Sequence, residues 1–137
     1  MAIATTEEEM HGDWNVQFSN WSEPVAMVQL LQLVHEDEVL SPSSNDFLLK
    51  LMTETTTGPN RIKGLLPKDA KVAHKTGTSG PNEEGVTAAI NDAGIVTLPN
   101  GKHYAIAVFM LNSKSDPKKL EAVIAAIAMH AWDHYSK

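Results

Sequence analysis

The chain has 137 residues, with 11 Lys and Arg against 17 Asp and Glu, a formal charge of −6 with neutral histidines. That balance argues against general nucleic-acid binding, which needs clustered cations, and there is neither an apolar run of about 18 residues for a membrane span nor a basic start leading into a signal peptide's apolar stretch. Zero cysteines exclude disulfides, thiolate catalysis and cysteine-held metal, while 42% hydrophobic and 20% charged residues fit one soluble domain with a modest core.

Residues 1–21 mix acids, small polar residues and two tryptophans, Trp14 and Trp21, without a sustained period. They predict an irregular loop with at most one turn of helix around Thr6 to His11, and a loop this long is usually functional. Trp14 and Trp21 are expected to anchor it to the body, and Met10 to pack. Ser22, Glu23 and Pro24 then supply helix-start chemistry, and Val25, Val28, Leu31 and Val34 recur by three, which predicts a helix over 23–36. A second start at Ser41 to Asp46 leads into Phe47, Leu48, Leu51 and Met52 on one helical face, ended by the Thr-rich stretch before Gly58 and Pro59.

From Ala70 the pattern becomes short β-prone runs at 71–76, 86–98 and 103–111, bounded by Gly, Pro or Asn. Asn100 and Gly101 between the last two predict a hairpin with both residues at positive φ. Residues 80–85, GPNEEG, join the first run to the second, so an antiparallel three-strand meander is expected. Asp116 and Pro117 open a final helix with Leu120, Ile124, Ile127 and Ala131 on one face and Val123 beside it, to lie across the sheet. No linker divides the chain. It reads as part of one α+β domain, with a loop at 1–21, a helical part at 22–69 and a sheet with its helix at 70–137.

The sharpest chemical feature is Lys75-Thr76-Gly77-Thr78-Ser79-Gly80 at the end of a predicted strand. An ammonium, several hydroxyls and glycines that admit a ligand to the backbone suit a carboxylate. The fuller string from Val72 to Gly80 resembles the Lys-Thr-Gly strand of serine β-lactamases and penicillin-binding proteins. Upstream, the segment Glu54 to Pro67 is similar to the one preceding that strand in class A β-lactamases, and the hairpin and final helix fall in the family's order. The chain therefore resembles the C-terminal half of a class A enzyme, which implies a β-lactamase/transpeptidase-like fold with an antiparallel sheet flanked by helices.

That resemblance gives the 1–21 segment the identity of the family's Ω-shaped loop. Of the three adjacent acids, Glu7 takes the position of the carboxylate that activates the deacylating water, and His11, four residues on, replaces the usual water-holding amide, as in a subgroup with extended-spectrum activity. Lys75 is the implied catalytic lysine of the strand. Thr76, Gly77, Thr78 and Ser79 are the implied substrate-binding residues, with the Thr78 N–H in the oxyanion hole. The strand arginine of many relatives is matched here to Ala93, and Arg61 stands where others place a substitute, whose planar fork suits a carboxylate. The Arg to Asp ion pair that commonly closes the loop is replaced by Thr5 and Asn20, which predicts a slacker loop. The six residues 80–85 are expected to widen the site for bulky cephalosporin side chains.

Two family motifs, a Ser-x-x-Lys nucleophile and Ser-Asp-Asn, are absent in usable form. Ser44-Asn45-Asp46 is a permutation at a helix start, and Ser115 with Lys118 straddles Pro117, where Ser and Asp cap helices. A β-lactam is the implied small-molecule substrate, an N-terminal half of the same fold the implied partner, and a periplasmic or secreted parent the implied location. Without that half, the strand holding Ala105 to Met110 should keep an open edge and the chain should aggregate or seek its complement. The alternatives are a penicillin-binding transpeptidase or carboxypeptidase, and an inert docking fragment. His130 and His134 have chelating i, i+4 spacing but no evident third ligand, so neither metal nor cofactor is assigned.

Overall fold

A computed structural model describes all 137 residues. Four helices, α1 (Glu7–Gly12), α2 (Pro24–His35), α3 (Pro42–Glu54) and α4 (Pro117–Tyr135), accompany three strands, β1 (Lys71–Thr78), β2 (Thr87–Thr97) and β3 (His103–Ser113). Short 3-10 turns occupy Val16–Ser19 and Ile62–Gly64. The strands form one antiparallel sheet in the order β1-β2-β3, with Lys75 opposite Ala93 and Ala93 opposite Ala107. The three-strand expectation holds, and so do the two long helices before the sheet.

The central strand, β2, is buried along nearly its whole length, because neighbours lie on both edges and apolar groups on both faces. One face gives Val72, Ile90, Val96, Ile106 and Val108 to the main core, closed by Ile62 and by Leu120, Ile124, Ala128 and Trp132 of α4. The other gives Ala93 and Ile95 to a smaller cluster with Leu31 of α2. Between α2 and α3, the fully buried Asn45 donates from Nδ2 to the Val34 carbonyl at 2.8 Å and to the Asp37 carboxylate, fixing the turn where Asp37 takes φ +59°.

Two local expectations are corrected. The β2–β3 turn has only Gly101 at positive φ, +80°, with Gly101 N–H bonded to Leu98 O at 3.0 Å and Leu98 N–H to Lys102 O at 2.8 Å. Pro99 is the cause: its ring holds φ near −65°, which suits a type I turn followed by a glycine bulge and excludes a turn that starts at positive φ. On α4 the buried stripe is Leu120, Ile124, Ala125, Ala128 and Trp132, whereas Val123 and Ile127 are each 44% exposed. The helix is turned so that Ala125 meets the Gly64 turn, where a Cβ on Gly64 would lie 3.1 Å from that of Ala125.

The accessible surface is 8699 Å². A folded monomer of 14.9 kDa ordinarily exposes roughly 7,000 Å². The excess, about 1,700 Å² on one chain, is roughly twice what a single partner contributes to a standard protein–protein interface. It includes Phe47 and Leu51 on α3, Val25 on α2 and Leu111 at the end of β3, whose outer edge pairs with no strand.

Gly94 faces His74 across the β1–β2 pair, and a Cβ there would stand 2.4 Å from Ala73 O and 2.7 Å from His74 Cβ. Gly94→Ala is therefore expected to destabilise the chain by about 2–3 kcal/mol, read as a lower urea midpoint. Gly80→Ala, with nothing within 4 Å of its new Cβ, should change stability by less than about 0.5 kcal/mol.

Candidate functional site

Arg61 enters the site from the turn before Ile62–Gly64, and its side chain is only 7% exposed. A guanidinium can be buried only where its donors are met. Nε donates to Glu121 of α4 at 3.1 Å, one terminal nitrogen donates to Gly77 O at 3.1 Å and Asn91 O at 2.9 Å, and the other donates to Thr78 Oγ1 at 2.6 Å. The arginine thus joins α4, β2 and the end of β1, and its charge lies against the backbone of the Lys-Thr-Gly strand.

Lys75 points to the opposite face from the buried His74, beside Ala93, with its ammonium 2.6 Å from Thr76 O and exposed. Thr76 donates from Oγ1 to Thr57 Oγ1 at 3.0 Å. This contact depends on Gly58, which has φ +58° and no room for a side chain, since a Cβ would lie 2.5 Å from Thr76 Cγ2. Ser79 is tied twice to one residue of β2: its N–H donates to Ala89 O at 3.0 Å, and its Oγ accepts from Ala89 N–H at 2.9 Å. Beyond it, Asn82 Oδ1 accepts from the Glu84 and Val86 N–H groups, so the 80–85 connection has an internal frame. Lys75, Thr76, Gly77, Thr78, Ser79 and Arg61 are thereby gathered in one place.

Glu7 and His11 lie elsewhere, on α1. Their side chains are 87% and 81% exposed, and each has only the other as an ionic or hydrogen-bonding partner, at 3.8 Å. The three adjacent acids are not equivalent. Glu9 accepts from Thr6 N–H and Thr5 Oγ1, both at 2.8 Å, while Thr6 Oγ1 accepts from Glu9 N–H, a complete capping box. The bond from the Thr6 backbone, followed by those from the Thr5 and Thr6 hydroxyls, holds the Glu9 carboxyl below its ordinary value. Glu9 is thus committed to starting α1, and Glu7 is left free.

The slack-loop expectation meets a counter-observation. Asn20 Oδ1 accepts from Ala4 N–H at 2.7 Å and Thr5 N–H at 3.1 Å, and Asn20 Nδ2 donates to Thr5 O at 3.0 Å. Ala2 and Trp21 exchange both backbone bonds alongside, at 2.8 and 3.0 Å. One neutral amide side chain therefore closes the segment on main-chain groups, where a slacker loop was expected. Trp14 packs within the loop, edge-on to Phe18 at 5.0 Å, and Trp21 is half exposed, so neither tryptophan is buried in the main core. No three His, Asp or Glu side chains converge to hold a metal ion.

Glu121, Asn91 and Thr57 were not read as site residues from the sequence. Glu121 and Asn91 lie 60 and 30 residues from Arg61 along the chain, and nothing local announces such pairings. The capping box was signalled, by Thr6-x-x-Glu9.

The chain matches the family described as the β-lactamase enzyme family over residues 2–135. It is 49% identical over 137 residues to β-lactamase VEB-1 of Pseudomonas aeruginosa, a match covering 98% of this chain and 46% of that enzyme. It is 44% identical to extended-spectrum β-lactamase PER-1 of Pseudomonas aeruginosa, covering 96% and 42% respectively. The crystal structure of TLA-3 extended-spectrum β-lactamase superposes with a TM-score of 0.97 at 55% identity, over 99% of this chain and 50% of that one. The chain spans about half the length of the relatives it matches.

Asn20→Ala should accelerate amide hydrogen exchange across the segment from Ala2 to Asp13 while β1, β2 and β3 keep their protection, as read by mass spectrometry of proteolytic fragments. Because the folded Glu9 carboxyl titrates below its ordinary value, the box is fully present above that value and is lost as pH falls through the lowered one. Exchange in α1 should therefore speed up on acidification, once the intrinsic pH dependence of exchange is divided out, and Glu9→Gln should flatten the response.

Proposed function

The chain belongs to the β-lactamase enzyme family, and from that premise we propose that it supplies the substrate-holding strand and the deacylating carboxylate of a class A serine β-lactamase. The observation that carries this reading is the convergence of two cations, Lys75 and Arg61, on Thr76, Gly77 and Thr78. Fixed cations and hydroxyls on a rigid strand are what recognition of a ring carboxylate requires.

In the proposed reaction a serine opens the lactam: its oxygen bonds to the carbonyl carbon, the carbon–nitrogen bond breaks, and the ring nitrogen takes a proton. Lys75, Thr76, Thr78 and Arg61 hold the substrate carboxylate, and Thr78 N–H receives the developing oxyanion. Glu7 then takes a proton from water, which His11 orients through a ring nitrogen, as the water oxygen adds to the acyl carbon; the bond to the serine oxygen breaks and that oxygen takes the proton back, restoring the serine hydroxyl and the Glu7 carboxylate. The Ser-x-x-Lys and Ser-Asp-Asn motifs are supplied by a complementing N-terminal half, and residues 1–137 alone are inactive. Such a partner would cover the open edge of β3 and the apolar side chains of α3 and α4. That same exposed surface favours a second reading, a fragment that docks without turning over. The frame at 80–85 suits bulky cephalosporins, a parent exported to the periplasm or medium fits the family resemblance, and the extended-spectrum names of PER-1 and TLA-3 support the substrate class.

Hydrolysis of a chromogenic cephalosporin is expected to be absent with the purified chain and to appear when an N-terminal half bearing both motifs is added. Turnover by the chain alone would overturn the assignment of the nucleophile, and silence in both would leave the docking fragment ahead. In the active mixture, Glu7→Gln should slow turnover by about a thousandfold with acyl-enzyme accumulating in the mass spectrum. Unimpaired turnover would instead indicate penicillin-binding transpeptidase or carboxypeptidase chemistry.

A further inference from the structure

We propose that His74 is a positioning residue: paired with Asp92 in the core, it fixes the Arg61–Ile62 segment and so sets where the Arg61 guanidinium meets Gly77 and Thr78. Only its consequence for turnover rests on the β-lactamase reading above.

His74 precedes Lys75 on β1 and points to the opposite face, where it is wholly buried. A polar ring in that position is costly unless it is paired. Its Nδ1 lies 2.9 Å from both oxygens of Asp92, which is also wholly buried. A carboxylate only accepts, so Nδ1 carries the proton. Nε2 is buried with no partner. The proton that meets Asp92 therefore sits on Nδ1, on the ring edge that faces the carboxylate, while Nε2 faces no partner.

Asp92 does more than meet the histidine. Its Oδ2 accepts from the Ile62 N–H at 3.1 Å, and Ile62 is wholly buried. The preceding residue, Arg61, donates to Asn91 O at 2.9 Å. Two consecutive residues of the turn are thus tied to two consecutive residues of β2, one tie through the carboxylate that His74 orients. If the imidazole N–H is removed, the carboxylate loses the donor that spans both its oxygens and is free to rotate away from Ile62. The Arg61 backbone then loses its neighbour's anchor. Gly94 also fits this role, since the space beside His74 Cβ exists only where residue 94 lacks a side chain. A leucine could fill the ring's volume without replacing its donor, and that difference separates positioning from packing.

The test uses the full chain in dilute solution, with ¹⁵N in histidine and arginine. The His74 ring should show a proton on Nδ1; a ring protonated on Nε2 alone overturns the proposal. In His74→Leu the Arg61 Nε–H should exchange with water about tenfold faster while the backbone amides of β2, β3 and α4 stay protected, and His74→Asn, whose amide can donate to Asp92, should restore slow exchange. Unchanged Arg61 exchange in a folded His74→Leu chain overturns the proposal, and should that variant not fold, the tautomer decides. In the complemented enzyme His74→Leu should raise KM for the cephalosporin about tenfold with kcat within about twofold, and His74→Asn should restore KM. Lack of turnover when the unaltered chain is mixed with the N-terminal half strikes the β-lactamase reading alone, because the tautomer and exchange results do not depend on it.

Discussion

A guanidinium withdrawn from water has to be met on all sides, and most of the organisation of this chain around its Lys-Thr-Gly strand follows from doing so for Arg61. Its partners come from α4, from the backbone of β2 and from the end of β1. The helix that packs on the sheet is therefore also the helix that supplies the carboxylate for the arginine. That coupling joins a stability requirement to a site requirement: α4 cannot shift along the sheet without uncovering the charge beside Thr78. The same group explains why the irregular stretch before β1 is as ordered as it is, since Gly58, Arg61 and Ile62 are each fixed by a different residue of the sheet.

The regular elements were legible because their signals are local. Serine and proline at helix starts, apolar side chains recurring by three and four, and β-branched runs broken by glycine each act within a few residues. The Lys-Thr-Gly string was legible for the same reason. What escaped is what depends on the third dimension. The face of α4 was misread because Ile127 and Val123 outrank Ala125 and Ala128 in apolar surface, yet the small residues are the ones that let the helix approach the Gly64 turn. The hairpin was misread by weighting Asn100-Gly101 above Pro99, although a proline ring constrains φ more strongly than asparagine favours it. Asp92 reads as a polar interruption in an apolar strand until His74, 18 residues earlier, is placed beside it.

Relatives of about twice this length share the fold, and the surface carries the mark of that relationship. β2 is finished on both edges and faces, whereas β3 has a bare outer edge, and α3 and α4 keep bulky apolar side chains in water. β1, the other outer strand, pairs only with β2, and the Arg61 cluster sits at its end. The Lys-Thr-Gly strand is held along one edge by β2 and at its end by Arg61, and the parts that lack neighbours are those a second segment would cover.

Closure of the 1–21 segment by Asn20 has a consequence that concerns ions in solution. A loop latched by opposed charges is loosened by salt, which screens attraction over about 8 Å at physiological strength, and by acid, which discharges the carboxylate. An amide bonded to two N–H groups and a carbonyl has neither weakness. The latch is as firm in brine as in fresh water.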